Sequence, residues 1–477
     1  MTFPKQSESM SREDLVAQVC SLRRQVGRLQ RQVEHLSGVN EALRSEVEHL
    51  RRSAKRQAAP FSKGKRVSKP KRPGRKAGKG SFSYRKPPLP EEISEPVVDV
   101  PVPVDRCSGC GGRLKQERVE LAYVTDIPPV PRPLITEYRV VVCRCMSCGK
   151  RVRGEHPAVA PDQYGASAHR VGTRVMAAAH VLHYSVGIPV RKVPWVLKEL
   201  TGIKLTQSAI TQDALRRAKA EVGTAYARLR ASVRERPAVH TDDTGWRVGG
   251  EPAFLMAFET DEATVYQVRS RHRNEEVREV VPSDYGGVMV TDRGRSYDAK
   301  TLSNVRQQKC LAHILRSISV VVETKRGRGR SFGKQLKELF VQAMELWREY
   351  QSGKVVDFAV QVHQLKEALR HHLRDRLLPD RDNQRLLDEL GWHNDHGSLL
   401  RFLDDPRIEP TNNIAERALR PAVIARKVSQ CSKNEPGAYA FSAFTSVLRT
   451  LARKGEQSMV EGLCQVFQSP GLQPSLR

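Results

Sequence analysis

Leucines at positions 15, 22, 29, 36, 43 and 50 form an unbroken seven-residue repeat near the start of this chain. Val19, Val26, Val33 and Val47 hold the matching position four residues after a leucine, and Asn40 replaces valine once. Valine at a and leucine at d favour a two-stranded parallel coiled coil, and a single Asn at a fixes register and dimer state. Residues 11–52 are therefore expected to be a dimerising zipper. A solitary amphipathic helix packed on its own domain is the competing reading, and it leaves the polar a position unexplained.

At 477 residues the chain is long enough for several cores. It carries 81 Lys and Arg against 53 Asp and Glu, a net charge of +28. Such a field favours a polyanion, above all double-stranded DNA, through phosphate neutralisation and counterion release. An anionic membrane surface is the rival partner, but no helix beside the basic run has a strong apolar face. No apolar h-region follows the N-terminal basic residues, and no apolar run reaches the roughly 18 residues of a membrane span. The expected setting is soluble and cytoplasmic. Residues 51–90 hold 15 Lys or Arg and no acid, with Pro and Gly throughout. A segment of this composition cannot bury a core. Residues 53–95 are expected to be a disordered basic arm, either a solubilising linker or a sequence-blind hold on DNA.

Five of the nine cysteines fall between 107 and 148. Cys107 and Cys110 ("CSGC") and Cys145 and Cys148 ("CMSC") can each present two thiolates to one tetrahedral ion. Gly109, Gly111 and Gly149 permit the tight backbone this needs. Residues 96–160 are expected to be a structural Zn²⁺ module whose β-rich middle brings the two turns together. Cys143 is a spare that could replace Cys145. Residues 161–235 read as helical, with a Gly202 turn and a helix starting near Thr206 or Ser208, which resembles a helix-turn-helix. His180 and His183 are three apart on one helix with no third ligand in view, so core or surface histidines are expected there.

Texture changes at 236–325. "RPAVHTDDTGWRV" and "AFLMAFETDEATVYQVRS" read as three strands, "NEEVREVV" as a helix, "GGVMVTDRG" as a strand, and "QQKCLAHI" as a strand running into "LRSISVVVE". This is a mixed α/β sheet. Asp242 and Asp292 fall at strand ends, where ligands of open α/β sheets gather. Alternation puts Asp243 on the opposite face from Asp242. Paired carboxylates can hold two Mg²⁺ (or Mn²⁺) ions about 3.5–4 Å apart for in-line chemistry at phosphorus. Residues 326–405 read as a helical insertion. Residues 406–477 follow, with Glu416 inside "IEPTNNIAERALR". Glu416 could complete a capping box with Asn413, pair with Arg420 one turn on, or bind metal if Thr411 or Asn412 caps the helix instead. Pro421 is expected to end or kink that helix.

"HTDDTGW", "VMVTDRG", "CLAHILR" and "IEPTNNIAERALRPAVIARK" resemble, in order, the landmarks of the insertion sequence 66 transposases. The resemblance implies an N-terminal coiled coil, a four-cysteine zinc finger, a helical DNA-binding region and a catalytic domain of ribonuclease-H-like fold. It implies Asp242, Asp292 and Glu416 as a DDE triad, and small accessory proteins as partners in some elements. Arg417, Arg420, Lys427, His313 and Arg316 would then contact DNA. Two departures stand out: Asp243 where the family commonly has glutamate, and "VSQCSKNEPGAYAF" after Lys427. The expected activity is cutting of DNA at the element's ends and joining to target DNA. The rivals are a DNA-binding regulator and a metal-dependent nuclease that does not join.

Overall fold

The computed structural model describes residues 11–55, 87–93, 96–101, 103–115, 118–125, 133–374, 377–378, 380–429, 431–455 and 458–468. Residues 1–86 and 87–477 form two compact units. The first contains one helix, α1 (Arg12–Lys55). Its heptad residues Leu15, Val19, Leu22, Val26, Leu29, Val33, Leu36 and Leu43 are all open to solvent, so the apolar seam is uncovered among the described residues of this unit. The side chains of Val47 and Leu50, and residues 56–86 of the basic arm, lie outside the described residues.

The second unit opens with two three-residue strands, β1 (Val142–Arg144) and β2 (Arg151–Arg153), paired antiparallel. The β-rich middle expected before them does not form among the described residues. The described residues 118–125 and 133–141 carry no strand, and Val119, Leu121, Val124, Leu134 and Ile135 have no surface to pack against and stay exposed. Helices α2 (Thr173–His180), α3 (Val193–Thr201), α4 (Gln207–Ala218) and α5 (Glu221–Ser232) follow.

Five further strands build the main sheet: β3 (Ala238–Val248), β4 (Glu251–Glu259), β5 (Thr264–Arg269), β6 (Val288–Thr291) and β7 (Arg306–Lys309). Their spatial order is β5-β4-β3-β6-β7. The first three pair antiparallel, whereas β6 runs parallel to β3 and β7 parallel to β6. A short helix, α6 (Asn274–Arg278), precedes β6. The expected "QQKCLAHI" strand stops at Lys309. The Cys310 N–H makes the last sheet-side bond, to the Thr291 carbonyl at 2.8 Å. From Leu311 the spacing of Leu311, Ile314, Ile318 and Val321 gives a buried helical stripe instead, and α7 (Leu311–Thr324) forms.

The expected insertion is helical: α8 (Gly327–Gln351), α9 (Phe358–Leu373), α10 (Arg381–Asp395) and α11 (Arg401–Asp404). It is no appendage, because Phe332, Leu336, Phe340 and Leu390 share one core with Val288 and Val290 of β6 and with α7. The chain ends in α12 (Asn413–Ser429), α13 (Glu435–Lys454) and α14 (Met459–Gln468). Helices α2, α4 and α5 share a core with α13, α14 and Met256, Phe258 and Met289 of the sheet. Alternation sends Leu255 and Ala257 to the other face, where Ala418, Leu419 and Ala422 of α12 cover them.

Pro421 does not end α12, which runs on to Ser429. The buried stripe of Ala415, Ala418, Leu419 and Ala422 continues past it and offsets the one backbone bond it removes. The segment "VSQCSKNEPGAYAF" joins α12 to α13. Ser432 accepts from Trp246 Nε1 at 3.1 Å, and Asn434 caps α13 through the Gly437 N–H at 2.9 Å.

Strand β5 would be a bare sheet edge, and α13 closes it with side chains. Alternate N–H groups of Thr264, Tyr266 and Val268 donate to Thr450, Ser446 and Ser442 hydroxyls at 3.1, 2.8 and 3.1 Å. Hydroxyls four apart on a helix thus match N–H groups two apart on a strand. Ser446→Ala leaves the buried Tyr266 N–H unpaired and is expected to cost about 1–3 kcal/mol, read as a lower urea midpoint with unchanged slope.

Candidate active site and nucleic-acid interface

Asp242 pairs with Ala257 across the sheet, so it projects on the face covered by α12. Asp292 directly follows β6 and has the same parity as Val288 and Val290, which pack on that face. Glu416 sits in the first turn of α12. Asp292 and Glu416 are both close enough for their charges to act on Asp242. Burial, then the charges of Asp292, Asp243 and Glu416, push Asp242 up to about 7, against a hydrogen bond from the Asp243 N–H. The Gly294 N–H steadies Asp292 Oδ1 at 2.8 Å. A Cβ on Gly294 would come within 2.9 Å of that same oxygen, which is why glycine belongs there.

Glu416 is neither a cap nor an intrahelical ion pair. The helix begins at Asn413, and the Glu416 N–H bonds to the carbonyl of Asn412, so Asn413 is a helical residue rather than the N-cap. Among the described residues no ion pair joins Glu416 to Arg420. Its basic neighbour is His313, with Nε2 3.7 Å from Glu416 Oε1. The carboxylate is left available at the site.

Asp243 points to the other face, as alternation requires, and is engaged there. His272 Nδ1 lies 3.1 Å from it and His272 Nε2 lies 3.4 Å from Ser296 Oγ. Burial opposes charging of His272, but the hydrogen bond to Asp243 and the charges of Asp243 and Asp292 prevail and raise its pKa. Lys309 is buried beside β6, paired to Asp298 at 2.6 Å and donating to Thr291 Oγ1 at 3.2 Å. None of His272, Ser296, Lys309 and Asp298 was marked by a motif, because their partners are far off in sequence or in loops.

The donors at the triad are all carboxylate oxygens, a set suited to Mg²⁺ or Mn²⁺. A buried carboxylate surrounded by like charges is also what a cation would relieve. Among the described residues no three His, Cys, Asp or Glu side chains are drawn together into a ready cage, so the acids converge without closing. The same holds for the cysteines. The two Cys-x-x-Cys turns are each formed, in matching geometry. The Gly111 and Gly149 N–H groups bond to the Cys107 and Cys145 carbonyls at 2.8 and 2.9 Å, with φ of 72° and 74° at the glycines. The N–H groups of Gly109 and Cys110 hold the Cys107 thiol below its ordinary pKa, and those of Cys148 and Ser147 do the same for Cys145. Cys143 instead lies inside β1 opposite Val152.

Helices α2, α3 and α4 enclose a small core of their own, from Ala179, Val193, Leu197 and Ile210. Gly202, with φ of 71°, ends α3, and the Thr206 hydroxyl caps α4 through the Ala209 N–H at 3.2 Å. The outer face of α4 shows Gln207, Ser208, Thr211 and Gln212, flanked by exposed Arg191, Lys192, Lys198 and Lys204. His180 is buried against Asp213 at 2.9 Å, and His183 Nδ1 meets the Ile188 carbonyl at 2.8 Å, so both are spent on structure. Arg417, Arg420, Lys427 and Arg316 are exposed, the first three on the helix that carries Glu416.

A family model described as Transposase IS66 family matches residues 169–440, more than half of the chain. The chain belongs to that family. The matched span of this transposase-family chain contains α2 to α12, and with them all three acids. It is also 25% identical over 290 residues to "Uncharacterized protein y4jD" of Sinorhizobium fredii (strain NBRC 101917 / NGR234), covering 57% of this chain and 53% of that protein. The chain therefore spans about half the length of the curated relative it matches. Among the described residues no helix is long and apolar enough to cross a membrane.

The raised pKa of Asp242 has a definite sign. Unfolded, the group ionises near its ordinary 3.8, whereas in the fold it does so near 7. Between those values the fold keeps a proton that the unfolded chain has lost, so this group lowers stability as pH rises through the window. Asp242→Asn is expected to stabilise the metal-free protein above about pH 7, by on the order of 2 kcal/mol after allowance for partial exposure. Below about pH 4 the two proteins should melt alike; thermal melts in EDTA across pH read both.

Proposed function

We propose that this chain is a DDE-type DNA transposase acting at the ends of an insertion sequence, with Asp242, Asp292 and Glu416 as its catalytic acids. The observation that carries the reading is the meeting of these three carboxylates on one sheet face in a chain of this family, from positions 50 and 124 residues apart. Divalent cations held by the three acids would supply Lewis-acid stabilisation of the oxygens at phosphorus. The order of the sheet, with three antiparallel strands and two parallel ones, supports the ribonuclease-H-like assignment.

The chemistry is two in-line displacements. A water oxygen first bonds to phosphorus at the element's end while the P–O3′ bond breaks, freeing a 3′-OH and leaving a 5′-phosphate. That 3′-OH then bonds to a target phosphorus and displaces the target strand's own 3′ oxygen. The first step spends one phosphodiester and gives up a proton as the 5′-phosphate forms, and the second exchanges one phosphodiester for another. Both are in-line displacements at phosphorus, so one set of carboxylates could serve both when the nucleophile is exchanged. Arg417, Arg420, Lys427 and Arg316 suit backbone phosphates around the acids, the arginines as forked donors. His313, against Glu416, suits a contact to the scissile strand. The polar face of α4 suits base edges in a major groove, with the flanking Lys and Arg on phosphates.

The open seam of α1 supports pairing of two chains through the zipper, which would place two sites on two element ends. Cys107, Cys110, Cys145 and Cys148 would hold a structural Zn²⁺ once both turns close on it, with Cys145 rather than Cys143 as the ligand.

Purified protein with DNA from the flanks of its own gene is expected to cut in Mg²⁺ or Mn²⁺ and not in EDTA. Asp242→Asn, Asp292→Asn and Glu416→Gln should each abolish cutting yet bind the ends as well as the parent does. Full cutting by any one removes that residue from the triad. End binding without cutting by the parent would indicate a regulator, and cutting without joining a nuclease. Gln207→Ala and Gln212→Ala are expected to lower discrimination between end and random DNA by about 1–3 kcal/mol per lost base contact. Binding to random DNA should hardly change in competition assays at fixed salt.

A further inference from the structure

Asn412 is fully buried in the turn just before α12. Its side-chain Nδ2 donates to the carbonyl of Thr241 at 2.7 Å, its backbone N–H donates to the Cys310 thiol at 3.1 Å, and its carbonyl accepts the Glu416 N–H at 3.2 Å. Thr241 directly precedes Asp242. The Cys310 N–H in turn donates to the carbonyl of Thr291 at 2.8 Å, and Thr291 directly precedes Asp292. Bonds from Asn412 thus reach β3 and α12 directly, and the end of β6 through Cys310, each within one residue of an acid or at the acid itself. The Leu311 N–H, bonded to the Pro410 carbonyl at 2.9 Å, clamps the same turn to the start of α7.

The residue type suits the task. An amide donates without ionising, so Asn412 ties the acids together and adds no charge to a site where carboxylates already repel. Aspartate there would lose the donor to Thr241 and bring a fourth negative charge. Alanine would release the turn from β3 altogether.

We propose that Asn412, with Cys310 as its relay, is a positioning residue that sets the separation of Asp242, Asp292 and Glu416 and thereby the affinity of the site for divalent cations. The proposal rests on the triad reading above. Its test uses the full chain and two readouts: Mn²⁺ binding followed by electron paramagnetic resonance of the free ion, and the Mg²⁺ concentration that half-saturates cutting. Mn²⁺ prefers carboxylates to thiolates, and an Asp242→Asn, Asp292→Asn double variant gives the background from elsewhere in the chain.

Asn412→Ala is expected to weaken Mn²⁺ binding about 10- to 100-fold and raise the Mg²⁺ requirement in proportion, with binding to end DNA retained. Cys310→Ser, which keeps an acceptor for the Asn412 N–H, should stay near the parent, while Cys310→Ala should weaken Mn²⁺ binding. If Asn412→Ala fails to fold, the two Cys310 variants carry the test. Parent-like Mn²⁺ affinity in Asn412→Ala, or in Cys310→Ala where that pair decides, overturns the proposal even if the melting temperature falls. If the parent binds Mn²⁺ at the triad and Asn412→Ala loses it, but the parent cuts no DNA, the positioning role stands and the transposase reading fails.

Discussion

Three carboxylates that repel one another have to be held at one end of a sheet by elements with no local reason to meet there. Asp242 comes from the centre of the sheet, Asp292 from the strand beside it, and Glu416 from a helix that arrives only after the whole helical insertion. The burial that drives Asp242 toward its neutral form is the measure of what the fold must offset. Much of the remaining structure answers that demand. Small residues of α12, Ala415, Ala418 and Ala422, let its backbone lie close on β3 and β4. Arg426 of α12 reaches Thr244 at 3.2 Å and also bonds to the Gly245 carbonyl, so the helix is fastened to the central strand at both ends.

The two faces of the sheet divide the work. One carries the acids, α12 and the insertion. The other carries α2, α4 and α5, with α13 and α14 filling the space between. Helix α4 belongs to the small core of the α2–α4 unit and also, through Ala214 and Ala218, to the core under the sheet. Helix α4, proposed above to face DNA, is thus packed directly against the sheet whose strands bear the acids. Helix α13 serves both sides, since its hydroxyl stripe also seals the edge of β5 against pairing with another chain.

Much of this was legible in the residues because it depends on local period. Alternation along "HTDDTGW" separated Asp242 from Asp243, and the structure puts one with the acids and the other against His272. The helix-turn-helix boundaries at Gly202 and Thr206 follow from cap chemistry that acts within four residues. What was not legible spans the chain. Asn412 meets Thr241 and Cys310 across 171 and 102 residues, and nothing in "PTNNIAER" distinguishes a staple from a cap. The strand expected through "QQKCLAHI" failed for a related reason. Its apolar residues fit either period, and the bond from Cys310 to Thr291 decides where extension stops. Pro421 does not end α12 because the buried stripe of Ala418, Leu419 and Ala422 spans it, and that packing is no part of a breaker's local cost.

Charge gives the last connection between fold and chemistry. The chain carries +28 overall, and exposed Arg417, Arg420 and Lys427 share α12 with Glu416, so a DNA backbone is drawn to the surface at long range. At short range the same phosphate would face three carboxylates and be repelled. The basic side chains therefore bring DNA close but cannot by themselves seat the scissile phosphate among the acids. On the proposed function, cations between acids and phosphate would reverse the sign of that last contact and would also let Asp242 ionise. Metal binding, ionisation of Asp242 and seating of the phosphate would then be mutually favourable by linkage, and the site would stay uncommitted until DNA and metal were both present.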